Sequence, residues 1–267
     1  EPVDLNRYPP FPLDIPRFGP IEITRGCPYV CYYCQTPQLA GALVRHRRVE
    51  AVSEYVDAMA RTGRTDIRFI TPNALSYGSE DGKRLNPSAI ERLLLSIRST
   101  IGRDGRIFFG SFPSEVRPEH VTEETIGLIT EYCNNDNLVI GAQSGSQRML
   151  DSIHRGHTVD DVYRAAHLIQ SAGLQANVDF IFGLPGEREE DVSMSIRTIE
   201  DLSRIGARAH AHTFMPLPQT PFWECPTGHI DAKTQETLRS LTGRGVVYGD
   251  WEKQITLAKR IENYVRA

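Results

Sequence analysis

The sequence predicts an α/β fold: a partial (β/α)6 TIM-like barrel with a C-terminal helical extension. Three observations lead there. Six apolar runs alternate with amphipathic stretches of helical period between residues 20 and 214. The alternation breaks after residue 222, so the two further units of a full (β/α)8 barrel are not supplied. The length, 267 residues, suits a single substantial core.

Each element has its own signal. Residues 1–19 read as an extended lead-in or linker, because Pro2, Pro9, Pro10, Pro12 and Pro16 fix φ and remove donors. Strands are predicted at 20–24, 67–71, 106–111, 137–142, 175–182 and 208–214. Helical patterns lie near 50–62, 87–101, 121–133, 148–153, 159–172 and 189–205. Asn86 before Pro87 has the form of a cap and first helical position, and Gly173 and Gly206 of helix stops. Strand–helix units in series give a parallel sheet with right-handed crossovers, and this places the barrel over 20–222. Residues 223–267 form the extension, with a loop around Cys225-Pro226-Thr227-Gly228-His229 and helices near 231–242 and 250–265. It is expected to cover part of the barrel. No internal repeat or low-complexity segment is present.

Composition narrows the function classes. Hydrophobic content is 40% and charged content 24%, ordinary for a globular domain. A net charge of −4 supplies no general field for nucleic acid or anionic membrane, which weighs against nucleic acid and leaves it open. No apolar run reaches the length of a membrane span, and no signal peptide is visible. Clustered free cysteines point to a reducing, cytoplasmic setting. The chain starts at Glu1 without Met, as a processed protein or one domain of a longer one would.

The strongest chemical signal is Arg25-Gly26-Cys27-Pro28-Tyr29-Val30-Cys31-Tyr32-Tyr33-Cys34, a C-x3-C-x2-C string directly after the first strand. In a barrel this loop sits at the C-terminal strand ends, where active sites form. Three thiolates on one tight loop can hold three irons of a [4Fe–4S] cluster. With no fourth cysteine nearby, one iron is left open to bind a substrate or cofactor. A zinc site wants four ligands in two pairs, and His46, the nearest histidine, has no partner. A disulfide framework wants an even number of cysteines in a small secreted chain, and this chain has five.

With this string the chain resembles the radical S-adenosylmethionine (radical SAM) superfamily, over roughly residues 20–222. The resemblance implies a cluster held by Cys27, Cys31 and Cys34. It implies SAM chelated at the open iron and cleaved by one-electron reduction to a 5′-deoxyadenosyl radical. A reductant such as ferredoxin or flavodoxin would supply the electron. Tyr33, beside the third cysteine, would pack near adenine; the alternative is plain loop packing. Thr71-Pro72-Asn73 stands where the superfamily commonly has a Gly-Gly-Glu-like turn that holds the SAM amino group. Thr71 and Asn73 could accept the same bonds or simply form a Pro-Asn turn. After strand three, Ser111 and Glu115 could reach the ribose or the methionine carboxylate, while Glu115 and Arg117 could also pair with each other.

Gly141-Ala142-Gln143-Ser144-Gly145-Ser146, with Arg148, Arg155 and His157-Thr158, resembles the strand-four segment of methylthiotransferases and of many cobalamin-dependent radical SAM enzymes. Gln143 and Ser144 would face the ribose. Arg148 or Arg155 would clamp the SAM carboxylate, since guanidinium matches carboxylate bidentately. Phe180-Ile181-Phe182-Gly183-Leu184-Pro185-Gly186-Glu187 resembles the superfamily's G-x-I-x-G-x-x-E region, with Asp179 in place of its first glycine. Phe182 would flank adenine and Gly183 allow close backbone approach. Phe214, at the end of strand six, lies where the backbone closes over adenine. His210 and His212 share one face of that strand; two ligands are too few for a metal, so they read as core or substrate contacts. Arg45-His46-Arg47-Arg48 reads as a solvated helix start.

Methylthiotransferases carry a second cluster and an RNA-binding domain, and Cys133 and Cys225 cannot supply a second three-cysteine site. The proline-rich lead-in looks more like the linker after a cobalamin-binding domain, although no D-x-H-x-x-G string is present. The resemblance therefore implies a cobalamin-type methyltransferase acting on an unactivated carbon of a protein or small molecule. A post-translational example is the glutamine of methyl-coenzyme M reductase. The alternatives are a methylthiotransferase-like enzyme acting on tRNA or protein, and a non-enzymatic Fe–S electron-transfer protein.

Overall fold

The computed structural model describes residues 2–15 and 17–266; Pro16 of the lead-in and the terminal Glu1 and Ala267 lie outside the described residues. In chain order the elements are β1 (Ile21–Glu22), β2 (Thr24–Arg25), α1 (Thr36–Ala40), β3 (Arg45–His46), α2 (Val49–Ala60), β4 (Asp66–Ile70), α3 (Pro87–Ile101), β5 (Arg106–Phe108), α4 (Glu123–Tyr132) and β6 (Asn137–Gln143). They continue with α5 (Gln147–Ser152), α6 (Val159–Ser171), β7 (Gln175–Phe182), α7 (Glu189–Arg204), β8 (Arg208–Thr213), α8 (Ala232–Gly243), β9 (Val247–Tyr248) and α9 (Trp251–Arg266). Local chemistry sets the helix starts. The Asn86 side chain accepts the Ala89 N–H with Pro87 at the first position, and Thr122 and Thr158 form reciprocal capping boxes. Gly173 and Gly206, at φ 78° and 90°, stop α6 and α7.

β1, β4 and β5 pair in parallel, as do β6, β7, β8 and β9. The two sheets meet through a parallel bridge between Val116 and Ile140, with the Val116 N–H donating to Val139 O at 2.8 Å. The result is one curved wall whose edge strands, β1 and β9, do not pair: a partial barrel. Alternation decides what faces where. Along β7, Ala176, Val178, Phe180 and Phe182 are buried under the helices, while Asn177, Asp179 and Ile181 turn into the lumen. The outer faces bury Val52 and Val56 of α2 and Leu93, Leu94 and Ile97 of α3, each worth about 1.5–3 kcal/mol.

Three differences from expectation have clear causes. The third strand ends at Phe108 rather than residue 111, because Gly110 takes φ 76° and the chain resumes pairing only at Val116. The extension contributes a seventh parallel strand: β9 pairs with β8, Val247 with Ala209 and Tyr248 with His210. Two residues carry no periodicity to detect. The basic run 45–48 is not a solvated helix start. Arg45 and His46 form β3, antiparallel to β2, and Arg47 is 2% exposed. Arg47 donates to the carbonyls of Leu5, Tyr8 and Glu22 and lies over the Tyr55 ring. It thereby ties the lead-in, with Leu5 and Phe11 buried, to the barrel. No helix among the described residues is long and apolar enough to cross a membrane.

Candidate active site

The cysteine string occupies the excursion between β2 and β3, over the C-terminal strand ends. The β2–β3 ribbon closes its base, with Thr24 Oγ1 2.9 Å from His46 Nδ1. The Cys27 N–H donates to Gly41 O at 3.1 Å and the Cys34 N–H to Cys31 O at 3.0 Å. Gly26 (φ 92°) makes the turn into the loop, where a side chain would strike the Leu43 carbonyl. All three thiols are free and line one cavity of about 800 Å³ that runs from the loop into the barrel lumen. That volume is in the range of small-molecule and cofactor sites.

The middle of the cavity wall is charged. Arg155, 4% exposed, donates to Cys31 Sγ at 3.8 Å and to Gly141 O at 2.6 Å, and its Nε has no protein partner. Burial alone would depress its pKa, but Tyr33, Cys31 and Glu115 outweigh that and raise it. Burial pushes Glu115 above the usual carboxylate range, partly opposed by Arg155. Gly141 explains how these groups converge. The space its missing Cβ would fill is ringed by Arg155 Nη2, Gln143 Nε2 at 2.8 Å and Glu115 Oε2 at 3.1 Å. Arg117 packs over the Tyr29 ring, its guanidinium 3.4 Å from the centroid, and bonds to Glu119 at 2.5 Å and to Arg155 O. Its Nη1 is also unpartnered.

The sequence-predicted residues divide. Cys27, Cys31, Cys34, Tyr33, Thr71, Asn73, Glu115, Gln143, Arg155 and Phe214 all line the cavity. The Asn73 side chain is already engaged: its Oδ1 accepts the Arg117 N–H at 3.2 Å, and its Nδ2 is 2.7 Å from His120 Nδ1. The Thr71 hydroxyl donates within its own turn, to Asn73 O. Ser111 is buried just off the wall with its Oγ unpartnered. Besides Ser111, four more residues are not brought to the cavity. Ser144 bonds inside its loop, to the Ser146 N–H and toward Ser195. Arg148 points outward from α5 and pairs with Asp191 and Gly186 O. Phe182 is on the helix-facing side of β7, and Gly183 packs against the Gly228 backbone. Arg117 pairs with Glu119, not with Glu115.

Sequence reasoning missed one constellation. Asp179, His210 and His212 converge in the lumen with their ligand atoms within 4.8 Å of one another. The histidine spacing was visible, but the register that brings Asp179 beside His210 was not. Burial would raise Asp179; the hydrogen bond from His210 and the neighbouring His212 ring outweigh it and hold the carboxyl low.

Residues 21–199 match the Radical SAM superfamily. The chain belongs to the radical SAM superfamily. Among curated relatives, an uncharacterized protein of Methanopyrus kandleri is 25% identical over 248 residues, covering 91% of this chain and 46% of that protein. A tRNA-2-methylthio-N(6)-dimethylallyladenosine synthase of Finegoldia magna is 31% identical over 191 residues, covering 70% of this chain and 39% of the relative. The chain thus spans less than half the length of these relatives. In fold, the radical SAM core resembles the methyltransferase TsrM of Kitasatospora setae (TM-score 0.63, 19% identity, 78% of this chain and 38% of TsrM). It also resembles the Escherichia coli coproporphyrinogen III oxidase HemN (TM-score 0.59, 17% identity, 84% and 52%).

The superfamily implies a [4Fe–4S] cluster and SAM, and the residues fit both. The thiols are absent from the only triad of ligand atoms within 4.8 Å among the described residues, so they are spread too widely for one metal ion. Burial raises Cys27 and Cys34, and the neighbouring thiolates add to the effect. A bound iron centre is what would keep all of them deprotonated. For SAM, Arg155 and Arg117 line a cavity of suitable size, and Arg155 Nε and Arg117 Nη1 are buried donors left without a protein acceptor. A corrinoid, several times larger than a nucleoside, is not enclosed by this cavity.

Proposed function

We propose that this chain is the catalytic core of a cobalamin-dependent radical SAM methyltransferase that methylates an unactivated carbon. The observation that carries the radical reading is the single cavity joining Cys27, Cys31 and Cys34 to the buried Arg155, Glu115 and Gln143. When bound, the cluster and SAM supply reductive cleavage of the S–C5′ bond and a 5′-deoxyadenosyl radical. Arg155 binds the SAM carboxylate, and Glu115 and Gln143 take up its donor groups around Gly141. Tyr33 and Phe214 flank the adenine, and the surrounding wall excludes water, so the residues position while the cofactor does the chemistry. Methyl transfer is supported by the fold shared with TsrM, a radical SAM methyltransferase whose structure holds cobalamin. Cobalamin would be held outside the residues described here. The substrate is a protein side chain or small molecule, of which a glutamine in methyl-coenzyme M reductase is one example. The electron comes from a ferredoxin- or flavodoxin-type donor in the cytoplasm. The Finegoldia magna relative favours a second reading, methylthiolation of tRNA or protein.

The test is anaerobic incubation of the reconstituted protein with SAM, reductant and methylcobalamin. Cobalamin-dependent S-adenosylhomocysteine alongside 5′-deoxyadenosine is the expected result. A product that gains sulfur would replace methylation with the second reading.

A further inference from the structure

Next to Glu115, Gln143 and Arg155 lies a polar cluster that SAM binding leaves unused. Asp179 on β7 is level with His210 on β8, which is level with Tyr248 on β9. His210 Nδ1 is 3.1 Å from Asp179 Oδ1, and His212 Nε2 is 3.9 Å from the same oxygen. Two histidines and a carboxylate at this spacing have the composition of a mononuclear metal site.

The surrounding hydrogen bonds argue against a metal. Gln254 of α9 has a fixed orientation, because its Oε1 accepts the Thr213 N–H at 2.8 Å and only the oxygen can accept. Its Nε2 therefore donates to His212 Nδ1, 3.2 Å away. The His212 proton then sits on Nε2, facing Asp179. A metal at Nε2 would need that proton on Nδ1, with an acceptor beside it. His210 is held as a second donor, its ring stacked on Tyr248 at 4.6 Å and 2°. The His210 N–H thus donates to Asp179 Oδ1, and the protonated Nε2 of His212 lies 3.9 Å from the same oxygen. Asp179 Oδ2 has no protein partner among the described residues and is not shut off from the cavity.

We propose that Asp179 is the substrate anchor of this barrel, with Oδ2 accepting an N–H from a carboxamide, ammonium or guanidinium group. His210, His212 and Gln254 are positioning residues that fix the carboxylate. The proposal rests on the radical SAM reading of the same cavity. Gly141 is level with Asp179 in the sheet, so a group held there lies beside the place where Arg155, Gln143 and Glu115 meet. A pre-organised acceptor of this kind selects strongly, because a ligand without the donor leaves it unpaired.

The experiment uses the full chain loaded with its cluster and SAM. The probes are the N-acetyl methylamides of glutamine, lysine and arginine, with leucine as the apolar control, and binding is read by saturation-transfer NMR. At least one donor-bearing probe is expected to bind and leucine not. Asp179→Ala weakens that binding about tenfold or more. Asp179→Asn separates the sources: it keeps a carboxamide ligand within severalfold and loses an ammonium or guanidinium one. Folding of each variant is checked by circular dichroism and iron content. Gln254→Glu gives an independent readout. Its carboxylate accepts from His212 Nδ1, so this variant takes up Zn²⁺ and the wild type does not. The proposal is overturned if no donor-bearing probe binds, if leucine binds equally, or if Asp179→Ala binds like wild type. Stoichiometric Zn²⁺ uptake by the wild type that is lost in His210→Ala would also overturn it, in favour of a metal site. 5′-Deoxyadenosine from the wild type is scored separately, so failure of the radical reading is distinguishable from failure of the anchor.

Discussion

Gly26→Ala tests whether backbone geometry, and not thiols alone, holds the cysteine loop in place. Gly26 has φ 92°, and a Cβ there would land on the Leu43 carbonyl, 2.9 Å from its carbon and 3.2 Å from Gly41 O. The left-handed conformation costs an alanine about 1–2 kcal/mol before any contact is counted. The carbonyls cannot simply move away, because Gly41 O accepts the Cys27 N–H at 3.1 Å. Separating them sacrifices that bond, at about another 1 kcal/mol. The expected loss is therefore about 3 kcal/mol, together with displacement of Cys27. Gly173→Ala is the control: it takes φ 78° in the left-handed turn that ends α6, where the Leu174 N–H donates to Ile169 O, and nothing lies within 4 Å of the added Cβ, so only the strain of about 1 kcal/mol applies. Urea unfolding measures both losses, and iron and sulfide per chain after reconstitution measure the cluster. Gly26→Ala is expected to lose more stability than the control and to fail to hold iron. Equal stability of the two variants, with full iron in both, would refute the reasoning.

Two further predictions concern groups away from the cysteines. Burial raises Glu187 to about 7, and its Oε1 is unpartnered. The folded state then holds this proton more tightly than the unfolded chain, so stability is greatest below about 4.5 and falls as pH rises to about 7. Denaturation of wild type and Glu187→Gln across pH 4–8, a range chosen around those two values, should show the wild type losing up to about 3 kcal/mol relative to the variant; parallel curves would contradict this. Arg47→Ala removes the donor shared by the Leu5, Tyr8 and Glu22 carbonyls and should cost about 3 kcal/mol. It should also expose residues 2–15 to limited proteolysis, with Arg47→Lys intermediate.

The sequence reveals features carried by local periodicity and conceals those that depend on distant contacts. The long strands and helices were legible, because alternation along β7, the cap at Asn86 and the stops at Gly173 and Gly206 are local signals. β9 was not legible, since two residues become a strand only through the β8 edge. Arg47 looked solvated because its acceptors lie on a lead-in some forty residues earlier in the chain. In the site, the cysteine spacing pointed to the family that residues 21–199 match. Arg148 and Arg155 were indistinguishable on paper. Helix phase turns Arg148 toward Asp191, while the loop after α5 drives Arg155 under the cysteines. Phe182 was misplaced by one residue of strand parity, which is enough to exchange lumen for core. The Asp179 cluster depended on register between strands, which no single segment encodes.

The most direct measurement is 5′-deoxyadenosine production under anaerobic conditions, comparing reconstituted wild type with Cys31→Ala. Cleavage of SAM by the wild type, and its loss together with the cluster in the variant, is the predicted result. 5′-Deoxyadenosine formed undiminished by Cys31→Ala, or none from wild type with an intact cluster, full reductant and SAM, would contradict the account.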